Sequence, residues 1–261
     1  MQADEIAQEQ KGETMAEKNS DEVYTARCDK TEQVLRSAIE KFHPNIILAS
    51  SFSLEDVVLM DMISKIRPDA RVFAIDTGRL NEETYQCAEL VKFVTGLNIE
   101  WFFPRFEDVQ KLEQEKGLFS FRNSLDARHE CCQIRKVEPL SRALKGQKAW
   151  ITGLRKEQNV TREELKHVEI DDAHQGITKV NPLLEWEDKD LRRYIKENNL
   201  PYSSLYDRGY TSIGCAPCTR ATEPGEHPRA GRWWWESAEQ KECGLHVDYY
   251  EGKGVSADAK G

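Results

Sequence analysis

Ile46-Ile47-Leu48-Ala49-Ser50-Ser51-Phe52-Ser53-Leu54-Glu55-Asp56 is the stretch that decides the fold. Its four leading apolar residues read as a short buried strand. Pro44, just upstream, stops a helix expected over Thr31–Phe42, whose Val34, Leu35, Ala38 and Ile39 share one face. A serine-rich turn then enters a helix over Glu55–Ile66. The unit repeats down the chain. A strand is expected over Arg71–Ile75, a helix over Asn81–Thr95 stopped by Gly96, a third strand over Ile99–Phe103, helices near Glu107–Lys116 and Cys131–Leu144, and a fourth strand over Ala149–Thr152. Strands alternating with helices imply βαβ units, hence an α/β fold with a doubly wound, mostly parallel sheet. Such sheets bind ligands beyond the carboxyl ends of their strands. The loops Ser50–Leu54, Asp76–Leu80 and Gly153–Arg162 are therefore the places to look for a site. Past Asn181 the pattern gives way to one helix, Asp188–Asn198, and a loop-rich segment. The expected organisation is a disordered tail over 1–24, an α/β domain over 25–225 and a flexible C-terminal segment over 226–261.

Composition narrows the function classes. The 261 residues are 39% apolar and 32% charged, with a net charge of −9 and no block of Lys or Arg, which argues against a nucleic-acid partner. No apolar run approaches the roughly 20 residues of a membrane span. The polar, acidic stretch Met1–Glu22 has neither a signal-peptide core nor an arginine-rich transit bias. A cytoplasmic location is expected, and there seven cysteines read as metal ligands and reactive thiols, not a disulfide framework. Cys28 and Cys87 stand alone and read as small buried hydrophobes.

Four of the other cysteines form two close pairs, Cys131-Cys132 and Cys215-Ala216-Pro217-Cys218. Four thiolates suit a structural zinc or a [4Fe–4S] cube, and a vicinal pair favours the larger body. Were Cys131-Cys132 to open a helix, Lys136 would lie one turn beyond Cys132 on the same face. The turn Ser50–Glu55 offers hydroxyls and a helix N-terminus, suited to an anion, although Ser53 also reads as a plain N-cap. No GxxxxGK[ST] occurs, which excludes a Walker-type phosphate loop. Cys243 sits in Lys241-Glu242-Cys243-Gly244-Leu245-His246, where neighbouring cations would favour its thiolate. Arg229 and Arg232 precede Trp233-Trp234-Trp235, a stretch too apolar to leave in water.

Taken in order, SSFSLEDVVL, IDTGRLNEETY, ECCQIRKVEPL, WITGLRKEQ, IGCAPCTR, GRWWWE and KECGLH resemble the assimilatory sulfonucleotide reductases, and among them the iron–sulfur branch that acts on adenylyl sulfate. The resemblance runs from about Leu48 to His246. It implies a sheet of the adenine nucleotide α-hydrolase-like type, with Cys243 as the nucleophile on a C-terminal catalytic tail. Cys131, Cys132, Cys215 and Cys218 would hold one [4Fe–4S] cluster per chain. Ser50, Ser51, Ser53, Lys136, Arg229, Arg232 and His246 would face the phosphosulfate. Asp76, Thr77, Gly78, Arg79 and Leu80, with Gly153, Arg155 and Arg162, would lie by the nucleotide. The implied reaction yields sulfite and AMP through an S-sulfocysteine, resolved by thioredoxin or glutaredoxin, in sulfate assimilation and cysteine biosynthesis. A homo-oligomer is compatible with it. The competing expectations are a reductase of 3′-phosphoadenylyl sulfate or of both nucleotides, a cluster-binding regulatory protein, and an adenylating sulfur-inserting enzyme. The last of these requires a glycine-rich pyrophosphate loop that Ser50–Leu54 does not supply.

Overall fold

A computed structural model describes residues 2–158 and 165–236. Six strands form one sheet: β1 (Ile46–Ser50), β2 (Arg71–Ile75), β3 (Ile99–Phe102), β4 (Ala149–Ile151), β5 (Val168–Asp171) and β6 (Ile177–Val180), in the spatial order β3-β2-β1-β4-β6-β5. All neighbours are parallel except β5, which pairs antiparallel with β6 at the edge. The order reverses between β1 and β4, so the topological switch lies where the Ser50–Leu54 and Gly153 loops leave the sheet.

The near-continuous apolar strands follow from burial on both faces. Leu48, Val72, Ala74 and Ile151 point to one layer, where they pack with α2 (Leu54–Ile66), α3 (Glu82–Thr95), α7 (Asp188–Glu197) and the end of α1 (Gln2–Phe42). Ile47, Phe73 and Trp150 point to the other, against Leu140, Ala143 and Leu144 of α6 (Glu138–Leu144). Gly96 ends α3 in the left-handed conformation, its N–H bonded to Lys92 O.

Three expectations change. The backbone of 2–24, expected to be disordered, is helical as the front of α1. Met1–Glu22 is rich in Ala, Glu, Gln and Lys and has no proline, a composition that favours helix. The end of this stretch is tied down: Tyr24 is buried, stacks edge-on against Trp186 and donates to Glu197 Oε2 at 2.9 Å. Secondly, β5 and β6 add a hairpin that periodicity does not reveal. Val168-Glu169-Ile170-Asp171 faces water with Val168 and Ile170, so it lacks the apolar run of a central strand. Finally, the expected boundary at residue 225 is not a structural division. Arg232 bridges Thr219 in an antiparallel pair and Trp233 is buried, so 226–236 belongs to the same body; the tryptophan run supplies the reason.

Trp186 ties α1 to α7 within the first layer, packing on Tyr24 and Tyr194 and donating Nε1–H to Thr31 Oγ1 at 2.8 Å. Trp186→Ala should lower unfolding free energy by about 3–5 kcal/mol in urea titration. A loss below about 1 kcal/mol would show that α1 and α7 lie outside the cooperative core.

Candidate active site and metal-binding cavity

The two cysteine pairs meet. Cys131 and Cys132 close α5 (Leu125–Cys132), and Cys215 and Cys218 flank a single 3₁₀ turn, Ala216–Cys218. All four line one cavity and none is in a disulfide. The chain leaves Cys132 through a π turn, Gln133–Val137, before α6 begins. Cys131-Cys132 thus ends one helix and does not open the next. The wider turn still brings Lys136 to the cavity, as expected, and Arg135 with it.

Sequence reading missed much of the cavity's charge. Arg79, Arg128 and Arg135 line it beside Lys136. Arg128 and Arg135 stand one helical turn before and after the cysteines, at 128, 131, 132, 135 and 136, and that spacing was the signal available. Glu113 Oε1 accepts from Arg135 Nη2 at 2.5 Å and from Arg79 Nη2 at 2.9 Å. Buried Nε–H groups of Arg135 and Arg232 and the Nε1–H of Trp233 have no hydrogen-bond partner. Burial raises the Cys131 thiol against the opposing pull of Arg135, Arg79 and Lys136. Burial also pushes Cys218 up to about 11, with Lys136 and Arg232 acting the other way. Cys87 is buried, which pushes its thiol up to about 12, whereas Cys28, expected to be buried, is half-buried with a raised thiol. Among the described residues, no three His, Cys, Asp or Glu side chains are arranged to hold a single metal ion; the four thiols share a cavity without converging on one point. Four sulfur ligands, surrounding cations and unpaired N–H donors fit an anionic, sulfur-rich group larger than one ion.

The Asp76–Leu80 loop, expected by the nucleotide, touches this cavity through Thr77 and Arg79. Thr77 Oγ1 lies 3.2 Å from Cys215 Sγ, Thr77 O accepts from Arg135 Nη1 at 2.6 Å, and Arg79 O accepts from Ala216 N–H. Arg79 also lies over Phe121 and donates to Leu118 O. Gly78 takes a positive φ of 70°, and its N–H donates to Asp76 Oδ1, which also receives the Tyr85 hydroxyl. Leu80 is half-buried beside them.

The serine loop is built around an internal carboxylate. Asp56 Oδ2 accepts from Ser51 N–H at 2.6 Å, Ser51 Oγ–H at 2.8 Å and Ser53 N–H at 3.4 Å, while Ser53 Oγ caps Asp56 N–H. Ser50 Oγ accepts from Phe52 N–H. Several donors expected to face an anion therefore face Asp56. Burial pushes this carboxyl up to about 6, opposed by its bonds from Ser51. Phe52 adopts φ 61°, the left-handed region glycine would take, and its buried ring sits on Trp101 at 5.6 Å. Trp101 in turn touches Tyr85, so an unbroken line of contacts runs from the serine loop through Tyr85 and Asp76 to the cysteine cavity.

Gly153 and Arg155, expected beside a nucleotide, make close contacts within the protein. A Cβ on Gly153 would stand 2.8 Å from Glu55 Cβ and 2.9 Å from Asp56 Oδ1; only glycine lets β4 exit this close to α2. Arg155 is buried, its Nε–H on Glu55 Oε1 at 2.8 Å and its Nη1–H on Glu157 Oε2 at 2.5 Å and Trp186 O at 3.2 Å. It braces the loop to α2. Arg232 is buried too, passing close over Gly214 to reach Ser212 Oγ and Ile213 O. Arg229 lies half-buried in the preceding turn. Arg162, Cys243 and His246 lie outside the described residues.

The phosphoadenosine phosphosulfate reductase domain matches residues 45–221. The adenosine 5′-phosphosulfate reductase of Allochromatium vinosum is 48% identical over 202 residues, 77% of this chain and 78% of that protein. Its namesake from Neisseria meningitidis serogroup B is 45% identical over 226 residues, 85% and 91% of the two chains. Among solved structures, the phosphate complex of phosphoadenylyl-sulfate reductase from Candida auris superposes with a TM-score of 0.63 at 32% identity, covering 72% of this chain and 89% of its own. Candida glabrata FMN adenylyltransferase, in complex with FAD and pyrophosphate, is similar at a TM-score of 0.55 and 16% identity over 81% of this chain and 72% of its own, a likeness of fold alone.

Two outcomes test the loop. Gly153→Ala should cost about 1–3 kcal/mol by overpacking against Glu55, measured by chemical denaturation; an unchanged midpoint would mean the contact yields freely. Asp56, raised in the fold from 3.8 to about 6, holds its proton more tightly folded than unfolded. Its contribution, on the order of 3 kcal/mol, is full below pH 3.8 and is lost as pH rises through about 6. The stability difference between wild type and Asp56→Asn should therefore change across that window. A difference independent of pH would place the titration elsewhere.

Proposed function

This chain belongs to the phosphoadenosine phosphosulfate reductase domain family, and from that premise we propose that it reduces adenylyl sulfate to sulfite and AMP, with Cys243 as nucleophile. The observation that carries the reading is the convergence of four cysteines and a ring of cations on one cavity, joined by Asp76–Leu80 to the loops at the sheet's switch point. The relatives named for adenosine 5′-phosphosulfate support this substrate over its 3′-phosphorylated form.

Cys131, Cys132, Cys215 and Cys218 would hold a [4Fe–4S] cluster, and the unpaired N–H groups of Arg135 and Trp233 on the same cavity would suit its negative charge. When bound, the cluster supplies a fixed, sulfur-rich anion against which Lys136 and the arginines are ordered. The chemistry runs on thiols. The Cys243 thiolate attacks the sulfate sulfur, the S–O bond to the phosphate breaks, and AMP leaves with the electron pair. Cys243 then carries a sulfonate. Lys136, Arg229, Arg232 and His246 would offset the negative charge of the oxygens during transfer. A thiolate of an external dithiol, thioredoxin or glutaredoxin, next attacks Cys243 Sγ and expels sulfite. Its second thiol closes the disulfide and frees Cys243. The dithiol loses two electrons and the sulfate sulfur gains them, so the balance closes without a redox change at the cluster. A supply of reduced dithiol fits a cytoplasmic setting in sulfate assimilation, feeding cysteine biosynthesis.

Sulfite release from adenylyl sulfate and thioredoxin is the direct test. Cys243→Ser should abolish it while iron, about four per chain, stays bound. Adenylyl sulfate given without a dithiol should leave a sulfonate on the Cys243 peptide by mass spectrometry. Normal turnover by Cys243→Ser, or an adduct on Cys28 or Cys87, would sink the mechanism. Stoichiometric zinc in place of iron would overturn the cluster assignment. Lys136→Ala should lower kcat/KM by a factor corresponding to about 2–4 kcal/mol; an unchanged value would make Lys136 a bystander.

A further inference from the structure

The turn Trp233–Glu236 is held to both cysteine pairs at once. Trp233 N–H donates to Cys218 O at 3.1 Å, and Glu236 N–H closes the turn on Trp233 O at 2.8 Å. From its other end, Glu236 Oε1 accepts from Arg128 Nε at 2.7 Å, both side chains being buried. Arg128 lies on α5 three and four residues before Cys131 and Cys132, so guanidinium and thiols share one helical face. The guanidiniums of Arg128 and Arg232 both stand over the Trp233 ring, at 4.4 and 4.6 Å. Glu236 Oε2 is buried without a hydrogen-bond partner. A buried ion pair with an unsatisfied oxygen is a poor stabilising device. What it does well is fix one geometry.

We propose that Arg128 and Glu236 are positioning residues for the reaction: their ion pair fixes the point from which the chain leaves the cavity toward Cys243. The inference rests on the reading of Cys243 as nucleophile. Cys243 lies seven positions after Glu236, so the thiol reaches at most about 25 Å from the anchor. With the pair broken, the nearest backbone tie among the described residues is the Trp233 bond to Cys218, ten positions before Cys243. The longer tether dilutes the thiol about twofold at the substrate, and loss of its starting direction lowers the encounter further. Neither residue needs to touch the nucleotide. The anchor sits on the helix that carries Cys131 and Cys132, so the wall of the cavity and the origin of the tail move as one piece.

The test uses the full-length, iron-loaded protein. In single turnover with adenylyl sulfate and no dithiol, Glu236→Gln should form the Cys243 sulfonate at least about threefold more slowly than wild type, with iron content and AMP affinity unchanged. Glu236→Asp, which keeps the charge on a shorter arm, should fall between the two. Trypsin should cut after Lys241 severalfold faster in Glu236→Gln. Sulfonation and cleavage at wild-type rates overturn the proposal. So does loss of iron from Glu236→Gln, because the pair would then hold the cavity and not the chain beyond it. If wild type forms no Cys243 adduct, the functional reading fails first, and the cleavage comparison alone decides whether the pair anchors the segment.

Discussion

Positive charge confined beside sulfur is the constraint on which the rest of this molecule depends. Arg79, Arg128, Arg135 and Lys136 line the cysteine cavity, and Arg232 acts on Cys218 from the following segment. Buried guanidiniums are costly unless countered. Glu113, shared by Arg79 and Arg135, and Glu236 on Arg128 are carboxylates that counter them. Four thiolates around an anionic group would complete the balance. The cavity walls come from parts distant in sequence: the loop after β2, the α5–π–α6 segment, the Cys215–Cys218 turn and the tryptophan run. Each must be in place before the charges meet.

The sheet supplies the frame for this meeting. The loops after β1 and β4 emerge at the point where strand order reverses, and Gly153 and Arg155 lock them to each other through Glu55. The loop after β2 touches the cavity directly through Thr77 and Arg79. The switch-point loops and the cysteine cavity are thus neighbouring outputs of one mostly parallel sheet, connected by Phe52, Trp101, Tyr85 and Asp76.

The central strands were legible because burial on both faces leaves uninterrupted apolar runs: Arg71–Ile75 agrees at both ends, and Ile46–Ala49 falls one residue short. β5 and β6 were not, since an edge strand with one wet face and a half-exposed neighbour carry no such run. The cysteine pairs and Lys136 were visible as reactive residue types at short spacing. Arg128, Arg135 and Glu113 were not, because charged residues on a helix are ordinarily solvated, and only the fold shows that these are turned inward. Arg155 illustrates the converse. Its motif is plain in the sequence, yet its guanidinium is occupied by Glu55 and Glu157, a pairing that needs β4 and α2 brought together. The bonds of Asp56 to Ser51 and Ser53 likewise appear only once the loop folds back on the helix.

Phe52 carries a consequence for how this loop meets a ligand. Phosphate-binding turns made of glycine obtain their shape from backbone freedom, and that freedom must be frozen when the ligand arrives. Here the left-handed residue bears a phenyl ring clamped against Trp101, so the turn is frozen when the chain folds. The ordering penalty belongs to folding, and binding meets a rigid socket. Were an anion to bind here as proposed, a loop that cannot flex would discriminate by shape, and the distant contact of Phe52 with Trp101 would share in the recognition.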